Sequence, residues 1–119
     1  MKKTLVIGAS EKPHRYSYKA VKLLNKHQHE VVAFGTRKGK IDDINIEIEK
    51  KDFQNIHTIT LYINPERQKD YYQYILDLKP QRIIFNPGTE NNELAEIAQK
   101  NNIETVFNCT LVMLNSGIF

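Results

Sequence analysis

The chain has 119 residues, of which 40% are hydrophobic, 26% charged and 9% aromatic, which excludes a disordered or fibrous protein and leaves room for one domain. A single cysteine excludes a disulfide framework within the chain and favours the reducing cytoplasm. No apolar segment approaches the ~20 residues of a membrane span. The apolar segment after Lys2 and Lys3 is too short for a signal peptide, so we expect a cytoplasmic protein.

The net charge of +3 is distributed unevenly along the chain. Residues 1–40 contain 10 Lys or Arg against 2 Asp or Glu, a balance of +8, whereas residues 41–119 contain 7 against 12, a balance of −5. A positive excess in the first third of a small domain indicates an anionic ligand, either a nucleic acid or a phosphorylated small molecule.

Short apolar segments alternate with stretches of helical spacing. Five buried strands are predicted, at residues 4–8, 30–35, 57–63, 82–85 and 104–107. Three helices are predicted between the strands. Ser17 is expected to cap the start of the first helix, and Asn64-Pro65 to start the second. The third helix is expected to end at Asn101-Asn102. The second helix ends at Lys79-Pro80, and Thr110 is expected to cap a short C-terminal helix.

Residues 36–43 are predicted to form a loop, and residues 44–49 alternate between isoleucine and polar residues, as in an edge strand or an extended excursion. The whole pattern predicts one α/β domain over residues 1–119, a Rossmann-like doubly wound parallel sheet of about five strands in three α/β/α layers. Ligands of such sheets bind at the carboxyl ends of the strands, so the loops that follow the strands are the candidates for a site.

The first loop, residues 8–17, has features of a phosphate-binding loop. Gly8 takes the first position of a G-x-G-x-x-G fingerprint, while Ser10 and Pro13 stand at the positions of the second and third glycines. Gly8 permits a tight turn, Ser10 lets a phosphate approach, and Arg15 can donate to it beside the free amides of the following helix. The alternative is a strand-end glycine followed by a solvated loop without a ligand.

The second loop, residues 35–40, contains Arg37, Lys38 and Lys40 and no acid. NAD sites place a carboxylate in this region for the ribose hydroxyls, whereas cations suit a phosphate esterified to the ribose. The loop therefore favours NADP or coenzyme A (CoA), and the alternative is a solvated basic loop.

Two further turns, Asn64-Pro65 and Asn86-Pro87-Gly88, follow predicted strands. Their proline, glycine and exposed amides suit the approach of a pantetheine arm or a pyrophosphate, and they equally suit turns and helix caps without a ligand.

The chain resembles the small single-domain CoA-binding proteins, which are related to the CoA-binding domain of the succinyl-CoA synthetase α subunit. The resemblance is carried, in chain order, by GASEKPHRYSYKA, TLYINPERQKDYYQYI, IIFNPGTENNEL and NCTLVMLNSGIF. It implies that CoA is the ligand and that its diphosphate is contacted by Gly8, Ala9, Ser10, Pro13, Arg15 and Tyr16. It also implies 3′-phosphoadenosine contacts from Thr36, Arg37, Lys38 and Gly39, and pantetheine contacts from Asn64, Pro65, Asn86, Pro87 and Gly88. Residues 40–57 match no motif, and no role is carried over to them.

No catalytic constellation or metal-binding motif is visible in the sequence. Cys109 is a candidate nucleophile, or a thiol that forms a mixed disulfide with CoA, but a small buried apolar side chain is the favoured interpretation. His14 is the only histidine near the proposed site, and the tyrosines at 71, 72 and 74 are expected to pack in the core or against a subunit instead of stacking on RNA.

The sequence therefore predicts a domain that binds CoA or an acyl-CoA, with no metal and no visible chemistry. Two alternatives stay open: an NADP-binding reductase-like domain, and a basic nucleic-acid-binding module, which the clustering of cations in loops disfavours. Neither a nucleic acid nor a membrane is expected as a partner. A homodimer is left open, since the chain ends in the apolar residues Ile118 and Phe119.

Overall fold

The structure, a computed structural model that describes residues 1–119, contains seven strands in one sheet. They are β1 (Thr4–Ile7), β2 (Val31–Phe34), β3 (Gly39–Ile41), β4 (Ile44–Glu47), β5 (Thr58–Leu61), β6 (Arg82–Phe85) and β7 (Glu104–Phe107). The order across the sheet is β3-β4-β2-β1-β5-β6-β7, and every neighbouring pair is parallel except β3 and β4. The predicted parallel Rossmann-like sheet is confirmed, with seven strands where about five were expected.

The two additional strands form a hairpin at one edge. Ile41 and Ile44 are register partners in the antiparallel pair β3–β4, and Ile46 of β4 pairs with Ala33 of β2. The prediction that residues 36–43 form a loop is thus wrong for Gly39 and its two successors, which belong to a strand. A two-residue turn at Asp42-Asp43 closes the hairpin, with Asp42 at a φ of 53°.

The helices are α1 (Tyr16–Lys26), α2 (Pro65–Gln68), α3 (Tyr72–Leu78), α4 (Asn92–Lys100) and α5 (Thr110–Asn115), with a 3₁₀ turn at Lys69–Tyr71. Asn64 caps α2 as predicted, because its side chain accepts from the Arg67 amide at 2.9 Å. The other two predicted caps are wrong by one or two positions. Arg15 precedes α1, which places Ser17 buried in the first turn, and Cys109 precedes α5, which places the Thr110 hydroxyl 2.8 Å from that of Thr60.

The helical connection after β5 was predicted as one helix and is divided by the 3₁₀ turn. Lys50 Nζ donates to the carbonyl oxygen of Asp70 at 2.7 Å and lies 4.7 Å from the centre of the Tyr71 ring, so a neighbouring loop binds the backbone where the α-helical pattern is interrupted. Tyr71 and Tyr74 pack against Phe34, with ring centres at 5.8 Å and 6.2 Å.

The core lies on both faces of the sheet because successive strand residues point in opposite directions. Leu5 and Ile7 belong to a cluster of 15 buried residues that is covered by α3 and α4. Val6 belongs to a second cluster, of 8 buried residues, that is covered by α1 and α5. This is the predicted three-layer arrangement. None of the helices is both long enough and apolar enough to cross a membrane.

Candidate functional site

A cavity of about 560 Å³ opens at the carboxyl edge of the sheet, over the ends of β2, β1, β5 and β6. The chain runs from β1 to β2 on one side and then to β5 on the other, so the switch in strand order lies beneath this cavity. Adjacent strands are ~4.8 Å apart, and the four strands therefore present a site roughly 14 Å across. Its place is the one that the doubly wound fold predicts for a ligand.

The cavity brings together most of the predicted site residues. Eleven of them line it: Gly8, Ala9, Ser10, Arg15, Tyr16, Thr36, Arg37, Lys38, Asn64, Pro87 and Gly88. Seven lining residues were missed: Glu11, Lys12, Ser17, Tyr62, Ile63, Arg67 and Thr89. Lys12 and Arg67 carried a usable signal, because each is a cation within four residues of a glycine or asparagine at a strand end.

The first loop crosses the end of β2 at short range. The amides of Gly8 and Ala9 both donate to the carbonyl oxygen of Phe34 at 2.9 Å. Gly8 has a φ of +96°, and a Cβ there would lie 2.9 Å from the carbonyl oxygen of Tyr62. The tight turn predicted for Gly8 is therefore present, and it brings the backbone close to the loop that follows β5.

The start of α1 faces the cavity without a side-chain cap. Tyr16 and Ser17 line the cavity, and neither an acidic residue nor a capping side chain lies at this helix end. The first amides of a helix have no partner within it, and together with the helix dipole they favour an anion. Ser10 Oγ accepts from the Lys12 amide at 3.1 Å, which leaves its hydroxyl hydrogen able to donate.

Five cations line the cavity, namely Lys12, Arg15, Arg37, Lys38 and Arg67. The four ion pairs of the protein all involve other lysines, so none of these five charges is neutralised by a side chain within 4.0 Å. Glu11 is the single acid in the lining, and its carboxylate accepts from the Lys40 amide at 3.2 Å. That bond ties the first loop to β3, and the cavity keeps a positive charge.

The far wall of the cavity consists of Tyr62–Asn64, Arg67 and Pro87–Thr89. Asn64 lines the cavity and its Oδ1 caps α2, so its amide nitrogen is not used by the cap. The Gly88 amide donates to the carboxylate of Glu90 at 2.8 Å, and Gly88 itself has a φ of +92°. The two loops that form this wall follow the neighbouring strands β5 and β6.

Four predicted site residues, Pro13, Gly39, Pro65 and Asn86, lie outside the lining of this cavity. Asn86 is buried and its amide is fully engaged: it donates to Thr60 Oγ1 at 2.7 Å and to the Leu61 carbonyl at 2.8 Å, and it accepts from the Thr110 amide at 2.9 Å. Pro65 starts α2 and Gly39 starts β3. In Gly39 the absence of a side chain leaves room for Glu11, whose carboxylate would lie 2.7 Å from a Cβ.

The candidates for chemistry are not part of the cavity. Cys109 is partly buried at the start of the six-residue helix α5, and His14 is exposed; neither belongs to the lining. Tyr62, by contrast, lines the cavity, but its hydroxyl is buried without a hydrogen-bond partner, and this burial raises the pKa of the phenol far above its ordinary value. No group of three His, Cys, Asp or Glu residues is arranged to hold a metal ion.

A family model described as a CoA binding domain matches residues 2–115. The matched range includes all four loops that line the cavity. No match was found among curated proteins.

Several solved structures resemble this chain. The structure of an uncharacterized protein with 50% sequence identity has a TM-score of 0.98 and covers 100% of this chain and 98% of the other. A protein from Thermus thermophilus with 16% identity has a TM-score of 0.87 over 99% of this chain and 90% of the other. A hypothetical protein from Pyrococcus horikoshii OT3 with 20% identity also has a TM-score of 0.87, over 98% of this chain and 83% of the other. At such low identities the last two likenesses concern the fold alone.

Proposed function

The chain belongs to the CoA-binding domain family, and from that premise we propose that the cavity at the carboxyl edge binds CoA or an acyl-CoA. In this proposal the first loop and the start of α1 hold the diphosphate, and Arg37 and Lys38 hold the phosphate of the 3′-phosphoadenosine. The pantetheine arm lies against the far wall. The observation that carries the proposal is the convergence of five unpaired cations on one cavity.

The positions of the cations suit a ligand with two separate phosphorylated groups. Lys12 and Arg15 lie near the end of β1, whereas Arg37 and Lys38 follow β2. Charge-assisted hydrogen bonds to phosphate oxygens are among the strongest available to a protein, and arginine can make two at once. A cavity of about 560 Å³ is also within the usual size range of small-molecule sites.

An NADP-dependent reductase and a nucleic-acid-binding module each require features beyond a cationic cavity. NADP has a comparable ribose phosphate, but a reductase also needs a second substrate beside the nicotinamide. A nucleic acid is best bound by cations along a face or groove, whereas these cations converge on a concave site. We keep the cytoplasmic location as part of the proposal. A homodimer is left open, as before, and Ile118 is 60% exposed.

Ligand-induced thermal stabilisation tests the proposal, with CoA, dephospho-CoA, NADP, NAD and a short RNA as probes. A ligand at ~100 times its Kd stabilises the folded state by about 2.7 kcal/mol. We expect the largest shift with CoA, a smaller one with dephospho-CoA and little response to NAD. A larger shift with NADP than with CoA would favour the reductase alternative, and a shift confined to RNA would favour the nucleic-acid module.

The double variant Arg37→Ala/Lys38→Ala tests the place of the 3′-phosphate. Loss of charge-assisted bonds worth about 1.5–3 kcal/mol is expected to raise the Kd of CoA roughly 10- to 100-fold, to the level of dephospho-CoA. Lys26→Ala/Lys100→Ala removes the same charge outside the cavity and is the matched control. Retention of a preference for CoA over dephospho-CoA in the first variant would refute the assignment of Arg37 and Lys38.

A further inference from the structure

Gln68, the last residue of α2, is a completely buried polar side chain. Its Nε2 donates to the carbonyl oxygens of Ile63 at 2.9 Å and Thr89 at 2.7 Å, and its Oε1 accepts from Asn91 Nδ2 at 2.9 Å. Both amide hydrogens and the carbonyl oxygen are thus in use. Buried amides satisfied in this way rigidify their surroundings, and they are costly to leave partly unpaired.

The two carbonyl partners belong to different loops of the far wall. Ile63 follows β5 and Thr89 follows β6. The ladder between these strands ends at the register pair Leu61 and Phe85, so it does not fix the spacing of the loops beyond it. Gln68 binds one carbonyl from each loop at this point and sets the distance between them.

The loop that follows β6 is also fixed by hydrogen bonds within itself. The amide and the hydroxyl of Thr89 both donate to the carbonyl oxygen of Asn86, at 2.9 Å and 2.8 Å. With its own carbonyl bound by Gln68, Thr89 is held at every polar atom of its backbone and side chain. The far wall is therefore a preorganised surface, and Gln68 links its two halves beyond the point where Asn86 already binds the Leu61 carbonyl.

We propose that Gln68 is a positioning residue for the part of the ligand that lies against the far wall. This inference rests on the proposed function, in which that part is the pantetheine arm of CoA. Gln68 does not line the cavity and acts through Ile63 and Thr89. A wall that is ordered before binding reduces the entropy lost on association. Loss of Gln68 should therefore weaken only those ligands that reach the far wall.

Calorimetric titration with two probes tests this role. CoA reaches both ends of the cavity, whereas adenosine 3′,5′-bisphosphate has the phosphorylated ribose and no pantetheine arm. Gln68→Met preserves the length of the side chain and removes all three hydrogen bonds. We expect the Kd of CoA to rise about tenfold, equivalent to one lost neutral hydrogen bond, and that of the bisphosphate to change less than about twofold.

Gln68→Asn gives the same test if the methionine variant does not fold, because the shorter amide cannot reach both carbonyl oxygens. Ile75→Val, which trims a buried side chain of α3 away from the cavity, is the control for a general loss of stability and should leave both Kd values unchanged. Equal rises for both probes, or an unchanged Kd for CoA, would overturn the positioning role. Failure of the unaltered protein to bind CoA would instead overturn the proposed function, and this inference with it.

Discussion

At the scale of single residues, two glycines control how closely the loops of the cavity approach one another. A Cβ on Gly35 would lie 2.4 Å from the carbonyl oxygen of Ala9, so the first loop can rest on the end of β2 only because Gly35 has no side chain. Gly8 likewise allows close approach to the loop after β5, because a Cβ there would lie 2.9 Å from the carbonyl oxygen of Tyr62. Gly8 also has a positive φ. Close packing of backbone against backbone leaves no flexible atom to move aside.

Gly8→Ala and Gly88→Ala separate these two requirements, because the φ angles of the residues are nearly equal, +96° and +92°. Both variants place an L-residue in a left-handed conformation, which costs about 1–2 kcal/mol. Only Gly8 adds a backbone contact, which costs about 1–3 kcal/mol more, since a Cβ on Gly88 meets nothing within 4 Å. Urea denaturation should show the larger loss of unfolding free energy in Gly8→Ala. Equal losses would mean that the loop after β5 moves away without cost.

At the scale of elements, a helix cap was predicted correctly where the local sequence allows the residue only one role. Asn64 before Pro65 is unambiguous, because asparagine caps and proline fits the first helical turn. Ser17 and Thr110 have equally suitable side chains, but both are buried in the first turn and Thr110 is bonded to a distant strand. Tertiary contacts therefore determine the places of Ser17 and Thr110, and such contacts cannot be predicted from the local sequence pattern.

Strand β3, and with it the hairpin, and the division of the helix were missed, whereas β4 lies within residues 44–49, which were predicted as an edge strand or an extended excursion. The turn between β3 and β4 is Asp42-Asp43, whereas short hairpins are usually recognised by Asn-Gly or Asp-Gly. The helix after Asn64 is interrupted without proline or glycine, at a carbonyl that Lys50 binds from another loop. The four loops of the site were predictable because strand ends share one edge, but Glu11 and Tyr62 join the lining only through the folded path of those loops.

Asn64→Asp tests whether Asn64 serves the ligand as well as the helix. The aspartate keeps the oxygen that caps α2, so the unfolding free energy should change by less than about 0.5 kcal/mol. It replaces the free amide nitrogen with a negative oxygen beside an anionic ligand, and the Kd of CoA should rise about five- to tenfold. Asn64→Ser is the control, which keeps the cap without adding charge. An unchanged Kd for Asn64→Asp, measured by titration, would confine Asn64 to the cap.

At the scale of the whole molecule, the two edges of the sheet carry different kinds of positive charge. The carboxyl edge has exposed cations around a cavity, whereas the amino edge holds Lys2, His29, His57 and Arg82. There Lys2 donates its backbone amide to His29 Nδ1 at 3.1 Å, and His57 Nδ1 lies 2.7 Å from Thr58 Oγ1, which accepts from Arg82 Nε. His29 Nδ1 is therefore a neutral acceptor, and both imidazoles lie beside cations, so the amino edge is the part of the fold that should respond to acid.

The pKa of both histidines is lowered from the ordinary value, chiefly by burial and then by neighbouring charge, from Lys2 at His29 and from Arg82 at His57. In the unfolded chain the same groups have a pKa of about 6.5. Between that value and the lower folded pKa the unfolded state binds more protons. The contribution of the two histidines to stability is therefore complete above about pH 6.5 and decreases as the pH falls through it.

Urea unfolding at about pH 7.5, 6.5 and 5.5 should show this loss, and His29→Gln/His57→Gln should reduce the slope of the unfolding free energy against pH. The control His14→Gln changes one exposed histidine at the other edge of the sheet and should keep the slope; an equal reduction in both variants would assign the acid response to other groups.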